Sequence, residues 1–211
     1  MPTPVVPSMA KLESAASERL GRYLAGSQVV AGIRNAAAAT GVGFGVLASK
    51  AAIESGFQPN AQAATSSARG LFQFTEQTWL ATVKEHAAEH DLGAEAEAIT
   101  RAGSRLTVQD PAERSRILAL RDNPEISARL AAEHLKDISE ALTPVLGRKP
   151  DAAELYLGHF LGTGGATAVL RTAASDPNRA ASDILPAAAR ANPRIFQAQD
   201  GQPLSVSQLI E

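Results

Sequence analysis

Apolar residues recur at helical spacing along most of the chain, and glycine or proline stands where these runs end. Such spacing predicts helices and not strands. A first helix is predicted from Ser8 to Gly26, with Leu12, Ala16, Leu20 and Leu24 on one face. Others are predicted over residues 28–40, 44–55, 112–120 and 125–142, and after Thr75. Another helix follows Pro150, is interrupted by the run Gly162 to Gly165, and resumes as far as residue 174. No segment alternates with period two, so no sheet is expected.

Helix boundaries are marked by residues that are typical of caps. Thr75 precedes a helix with Trp79 and Val83 on one face, and both Asp110-Pro111 and Asn123-Pro124 predict an N-cap followed by proline. The run 44–55 is apolar nearly all round and predicts a buried central helix, with Gly56 as its C-cap. Residues 91–110 read as polar and irregular, with room for one short helix. Beyond 176, prolines divide the chain into short helical pieces.

Composition narrows the class of protein. The 211 residues carry 45% hydrophobic and 20% charged side chains, which is typical of a globular protein with one main domain. The net charge of −2 gives no indication of nucleic-acid or anionic-membrane binding. Cysteine is absent and the four histidines lack metal-ligand spacing, so neither a metal nor another cofactor is expected. No apolar run could span a bilayer. Residues 1–8 do not resemble a signal peptide. This is consistent with a cytoplasmic location, another export route, or a signal already removed.

Glu54 is the only acidic residue between Glu18 and Glu76, and it ends an apolar helix. Burying a lone carboxyl is costly, and desolvation raises its pKa toward the range that suits a general acid. The residues alone therefore leave two interpretations open: an exposed glutamate at a helix end, or a single acid/base.

A turn rich in glycine and hydroxyl groups follows Glu54. Ser66, Ser67 and the run Gly70 to Gln73 form a simple turn or orient that carboxyl, and the Gln73 amide suits hydrogen bonding to a sugar. Trp79 is predicted to be a core residue. Arg69 contacts an anionic group of the substrate or is solvated, and His159 is most simply a core histidine.

Together these residues resemble a known family. Glu54-Ser55-x-Phe57, then Ser67-Ala-Arg-Gly-Leu-Phe-Gln-Phe74, is similar to the Glu-Ser … Gly-Ala-x-Gly-Leu-Met-Gln signature of soluble lytic transglycosylases, in the goose-type lysozyme branch. The block Gly158 to Ala166 resembles the family's Ala-Tyr-Asn-Ala-Gly segment. Four positions depart from the pattern: Ser67 stands for glycine, Phe72 for methionine, and His159-Phe160 for the Tyr-Asn pair.

The resemblance implies an all-α, lysozyme-like domain that cleaves the β-1,4 bond from N-acetylmuramic acid to N-acetylglucosamine in peptidoglycan. It implies Glu54 as general acid, then as base on the muramyl 6-hydroxyl, leaving a 1,6-anhydro end. Most glycosidases need two carboxylates, and the signature region holds one, which fits assistance by the substrate's acetamido group. The implied substrate-binding residues are Ser66, Ser67, Phe72, Gln73, Tyr156 and His159. Either Tyr156 or His159 would take the place of the family tyrosine that holds the catalytic carboxyl.

The expected organisation is a disordered segment 1–7, N-terminal helices 8–40, the transglycosylase domain 41–175 and a helical extension 176–211. The expected protein is a monomer in the cell envelope or periplasm, with glycan strands as substrate and flagellar or secretion machinery as candidate partners. Two other functions stay open. One is a hydrolase, muramidase-like or chitinase-like, that takes a second carboxylate from residues 91–122. The other is a non-catalytic glycan-binding scaffold.

Overall fold

The computed structural model describes residues 17–210, which divide into two compact units, 17–134 and 135–210. The first unit begins with an antiparallel hairpin of β1 (Ser17–Leu20) and β2 (Tyr23–Gly26). The predicted first helix is therefore wrong over these residues, and its part from Ser8 to residue 16 lies outside the described chain. Gly21 has a φ of 57°, a left-handed conformation that suits the tight hairpin turn and interrupts any helix.

Two helices follow the hairpin almost at their predicted bounds, α1 (Ser27–Thr40) and α2 (Phe44–Ser55). Both end at glycines in the left-handed conformation, Gly41 and Gly56, as the sequence predicts. The prediction that α2 is buried on all sides is wrong, because Ile53 is 67% exposed. An apolar composition identified the helix without showing which of its faces is covered.

After a loop come α3 (Glu76–His86), a 3₁₀ turn (Ala87–His90), α4 (Gly93–Ala98), β3 (Ile99–Ala102) and β4 (Arg105–Val108). The Thr75 side chain accepts a hydrogen bond from Thr78 N, which confirms the predicted cap of α3. β3 and β4 form a second antiparallel hairpin, so the expectation of no sheet is wrong. A strand of four residues is too short to show period-two alternation in the sequence. These two strands are recognised only by their pairing across the turn that contains Gly103, which has a positive φ.

The last helices of this unit are α5 (Pro111–Ala119) and, after a 3₁₀ turn (Leu120–Asp122), α6 (Pro124–Leu146), which contains the boundary between the units. Both predicted Asx-Pro caps are confirmed. Asp110 accepts from Glu113 N, and Asn123 Oδ1 accepts from the amides of Glu125 and Ile126. Trp79 is fully buried and donates its indole N–H to Ile117 O at 2.8 Å, which confirms its core position.

In the second unit, α7 (Ala152–Ser175) begins with a capping box formed by Asp151 and Glu154. Gly162, with φ 71° and ψ 162°, breaks the helical conformation inside α7, as predicted. Shorter helices follow: α8 (Ala181–Ile184), α9 (Pro186–Ala191), α10 (Pro193–Phe196) and α11 (Val206–Ile210). Residues 17–210 are thus mainly α, with two small sheets. Over residues 17–210, no helix has the length and apolar character needed to cross a membrane.

Candidate functional site

Glu54 lies in the last turn of α2, with its side chain 15% exposed. Its Oε1 accepts a hydrogen bond from Lys50 Nζ at 3.1 Å, one helical turn earlier. The Lys50 side chain is only 7% exposed, and burial lowers the pKa of its ammonium group, while the Glu54 carboxylate acts in the opposite direction. Lys50 was not predicted as a site residue, although its i,i+4 spacing from Glu54 on a predicted helix indicated the pair.

Helix α2 ends one residue after Glu54, and Gly56 caps it. Gly56 donates to Ala52 O at 3.1 Å, and Phe57 donates to Ala51 O at 3.3 Å. Phe57 itself has a φ of 66°, which is unusual for an aromatic residue. Its buried ring packs edge-on against Tyr23, with 5.6 Å between centroids. The hairpin β1–β2 therefore covers the segment that follows Glu54.

Ser55 joins the two halves of the sequence signature. Its hydroxyl lies 2.8 Å from Leu71 O and 3.1 Å from Ala51 O, the carbonyl one turn earlier in its own helix. The contact with Leu71 is the tertiary one, because it ties the end of α2 to the turn that carries the Gly-Leu-Phe-Gln motif. The structure thus brings these two segments together, and the expectation that the turn orients the Glu54 carboxyl stays a prediction.

The turn itself, residues 61–74, is closed by its own backbone and by Gln73. Gly70 N donates to Ala61 O at 2.8 Å, and Arg69 N donates to Phe74 O at 3.1 Å. Gln73 has a φ of 49°, and its Nε2 donates to Gly70 O at 2.9 Å and to Ala61 O at 3.2 Å. The amide donors of Gln73 therefore hold the turn together. Its expected contact with a sugar stays a prediction.

A buried arginine from a distant segment holds the same turn. Arg121 is 5% exposed and donates to Ser67 O, Phe74 O and Leu118 O at 2.8, 3.1 and 2.9 Å. Burial lowers the pKa of its guanidinium. Gly70 packs directly on Arg121, because a Cβ there would lie 2.1 Å from Arg121 O. No signal in the sequence links residues fifty positions apart, so Arg121 was not predicted.

Arg69 forms a bidentate ion pair with Asp122, with Nη2–Oδ2 at 2.6 Å and Nε–Oδ1 at 2.8 Å. The sequence offered a substrate anion or solvent for Arg69, and this pair with Asp122 was not predicted. Other acids in the segment 91–122 are also engaged: Glu95 pairs with Arg116, and Asp110 caps α5. A carboxylate held in a bidentate arginine pair is poorly placed to activate water.

The remaining candidates differ in exposure. Ser66 and Ser67 are exposed, and their hydroxyls accept from Ala68 N and Glu76 N, both at 3.2 Å. These hydroxyls therefore shape the loop and the start of α3. Phe72 is fully buried and has no surface with which to contact a glycan, so it is a core residue in this structure.

Tyr156 and His159 lie on α7 in the second unit, with 6.5 Å between ring centroids. Tyr156 is exposed and, with Phe160, Ile195 and Leu209, lines an apolar pocket of about 220 Å³. The expectation that Tyr156 or His159 holds the Glu54 carboxyl stays a prediction.

Within the described residues, no three His, Asp or Glu side chains come together in a way that could hold a metal ion. No protein-family model matches the chain.

Proposed function

We propose that this protein is a lytic transglycosylase of lysozyme-like fold that acts on peptidoglycan, with Glu54 as its acid/base. One observation carries the proposal: the Ser55 hydroxyl, 2.8 Å from Leu71 O, joins the Glu-Ser end of α2 to the Gly-Leu-Phe-Gln turn. These two segments carry the Glu-Ser and Gly-Leu-Phe-Gln parts of the family resemblance, and their association fixes the helix end that carries one partly buried carboxyl.

Backbone conformation around Glu54 supports a functional site. Among the described residues, the non-glycine residues with positive φ are Phe57, Gln73 and Asp91, and the first two belong to the segments joined by Ser55. Such conformations are costly and cluster at sites where geometry matters more than stability. This concentration favours a site of chemistry over an ordinary helix end.

In the proposed reaction the Glu54 carboxyl donates its proton to the glycosidic oxygen as the bond to the muramyl C1 breaks. The acetamido oxygen of the same sugar supports C1. The Glu54 carboxylate then takes the proton from the muramyl 6-hydroxyl, and the resulting oxygen closes on C1 to form the 1,6-anhydro ring. One carboxylate completes both proton transfers, so the reaction needs no second acid from residues 91–122.

The experiment is digestion of purified sacculi with the full chain, followed by mass spectrometry of the products before and after borohydride treatment. A lytic transglycosylase gives anhydro ends that borohydride leaves unchanged. Glu54→Gln should abolish the release, while Glu97→Gln, an exposed acid on α4, should retain it.

The other outcomes identify the alternatives. Products with reducible ends would show a hydrolase. Binding to sacculi without release of fragments would show a glycan-binding scaffold.

A further inference from the structure

Lys50 is a buried lysine beside the proposed catalytic carboxyl, and the inference drawn from it rests on the proposed function. Its Nζ lies 3.1 Å from Glu54 Oε1, and the side chains of this pair are 7% and 15% exposed. Leu47 and Ala51, its neighbours on α2, belong to the buried core. An apolar residue of similar length would therefore suit this position.

Three features make the pair a poor source of stability. Lys50 loses most of the hydration of its ammonium group on folding. A negative charge in the last turn of a helix is unfavourable to the helix dipole, and Glu54 has that position in α2. Finally, lysine precedes glutamate by four residues, and this order is less favourable in helices than the reverse. Burial also lowers the pKa of Lys50 more than the Glu54 carboxylate raises it.

We infer that Lys50 is a positioning residue for the reaction: by donating to Glu54 Oε1 it holds the carboxyl in the orientation from which the other oxygen, Oε2, transfers the proton. The hydrogen bond keeps the carboxyl against the preceding turn of α2 and restricts its rotation. A catalytic group that is already oriented reacts faster, because less freedom is lost on reaching the transition state.

The ammonium has a second effect during the acid step. As the Glu54 proton moves to the glycosidic oxygen, negative charge develops on the carboxyl beside Lys50 Nζ. A charge in a fixed position that is little exposed to water stabilises that development. Lys50 keeps its own protons throughout, so Glu54 remains the only group that exchanges a proton with the substrate.

The test compares Lys50→Met with Lys50→Arg in the full chain, using release of glycan fragments from sacculi and the melting temperature. For Lys50→Met we expect kcat to fall roughly 10- to 100-fold, with KM nearly unchanged. The melting temperature should stay equal or rise, because the buried ammonium has been removed. Lys50→Arg should recover part of kcat. Arg34→Met, which removes the cation of an exposed pair with Glu18, is the matched control and should leave kcat unchanged.

Each contrary outcome has a distinct meaning. If Lys50→Met retains wild-type kcat while Glu54→Gln is inactive, the inference about Lys50 is wrong and the proposed function stands. If kcat and melting temperature fall together and Lys50→Arg restores neither, Lys50 is a structural residue. Full activity of Glu54→Gln, or no cleavage by the wild type, overturns the proposed function and this inference with it.

Discussion

The buried Glu154 and the partly buried Glu54 are paired with cations in opposite ways. Glu154, at the start of α7, accepts hydrogen bonds from Arg148 Nη1 and Nη2, both at 2.7 Å, and from the backbone amide of Asp151 at 2.8 Å. Arg148 keeps much of its hydration, with a side chain 56% exposed. Glu54, at the end of α2, is paired with a lysine that is itself buried.

The helix dipole separates the two cases further. A carboxylate at a helix start is favoured by the dipole, and one at a helix end is disfavoured. The Arg148 hydrogen bond lowers the pKa of Glu154, so its ionised form stabilises the fold. The largest influence on the pKa of Lys50 is burial, which lowers it by disfavouring the charged amine. The Glu154 pair therefore serves stability, whereas the Lys50–Glu54 pair is a poor source of stability, and we propose that it serves function.

The largest expected contrast is in activity. Glu54→Gln should reduce release of anhydro fragments by about a thousandfold or more, because both proton transfers depend on this carboxyl. Glu154→Gln should leave kcat within about twofold of wild type when measured well below its melting temperature. Turnover on sacculi by both variants checks this, and an equal loss of activity in the two would break the comparison.

The second contrast concerns the loop that positions the Glu54 region. Gly70→Ala should reduce the free energy of unfolding by about 3 kcal/mol or more, since φ is +84° and the new Cβ would lie 2.1 Å from Arg121 O. Gly45→Ala, in α2 and with open space around it, should instead raise stability by about 0.5–1 kcal/mol. Urea denaturation measures both. A mild effect of Gly70→Ala would mean that the loop is not held rigidly by Arg121.

A smaller effect is expected from removing the stabilising pair. Glu154→Gln should lower the free energy of unfolding by about 1–2 kcal/mol, through weaker hydrogen bonds to Arg148 and to the Asp151 amide. The exposure of Arg148 keeps the Coulombic part small. Asp200→Asn, in the exposed C-terminal part, is a control that should change stability little. A stability equal to wild type would remove the structural role assigned to Glu154.

The smallest and sharpest contrast is in pH dependence. The folded pKa of Glu154 lies below its ordinary 4.5, so its stabilisation is present above 4.5 and is lost as pH falls through the folded pKa. The folded pKa of Lys50 lies below 10.5, so the unfolded chain binds this proton more tightly and stability rises as pH approaches 10.5. The free energy of unfolding should be measured across pH for both variants. Glu154→Gln should lose less stability than wild type as pH falls below 4.5, and Lys50→Met should gain less stability than wild type as pH approaches 10.5. Unchanged slopes would contradict the two assignments.

The sequence by itself determined the helices whose ends are local. Gly41 and Gly56 end α1 and α2, and Asp110-Pro111 begins α5, because caps depend on a few neighbouring residues. Glu54 could be proposed as a candidate from the sequence, because an isolated carboxyl in an apolar run is recognisable without knowledge of the fold. The helix predicted over residues 17–24 is a hairpin, although leucines recur there at helical spacing. The left-handed turn at Gly21 interrupts a helix whose apolar spacing favours it only weakly.

Only the tertiary structure decided what surrounds the candidate site. The contact of Ser55 with Leu71 joins residues sixteen positions apart, and Arg121 holds a turn more than forty positions earlier. Packing of the fold also placed Phe72 in the core and brought Arg69 to Asp122. Spacing along a chain carries no information about such pairs, because their energy depends on burial and direction, which exist only after the segments have packed together.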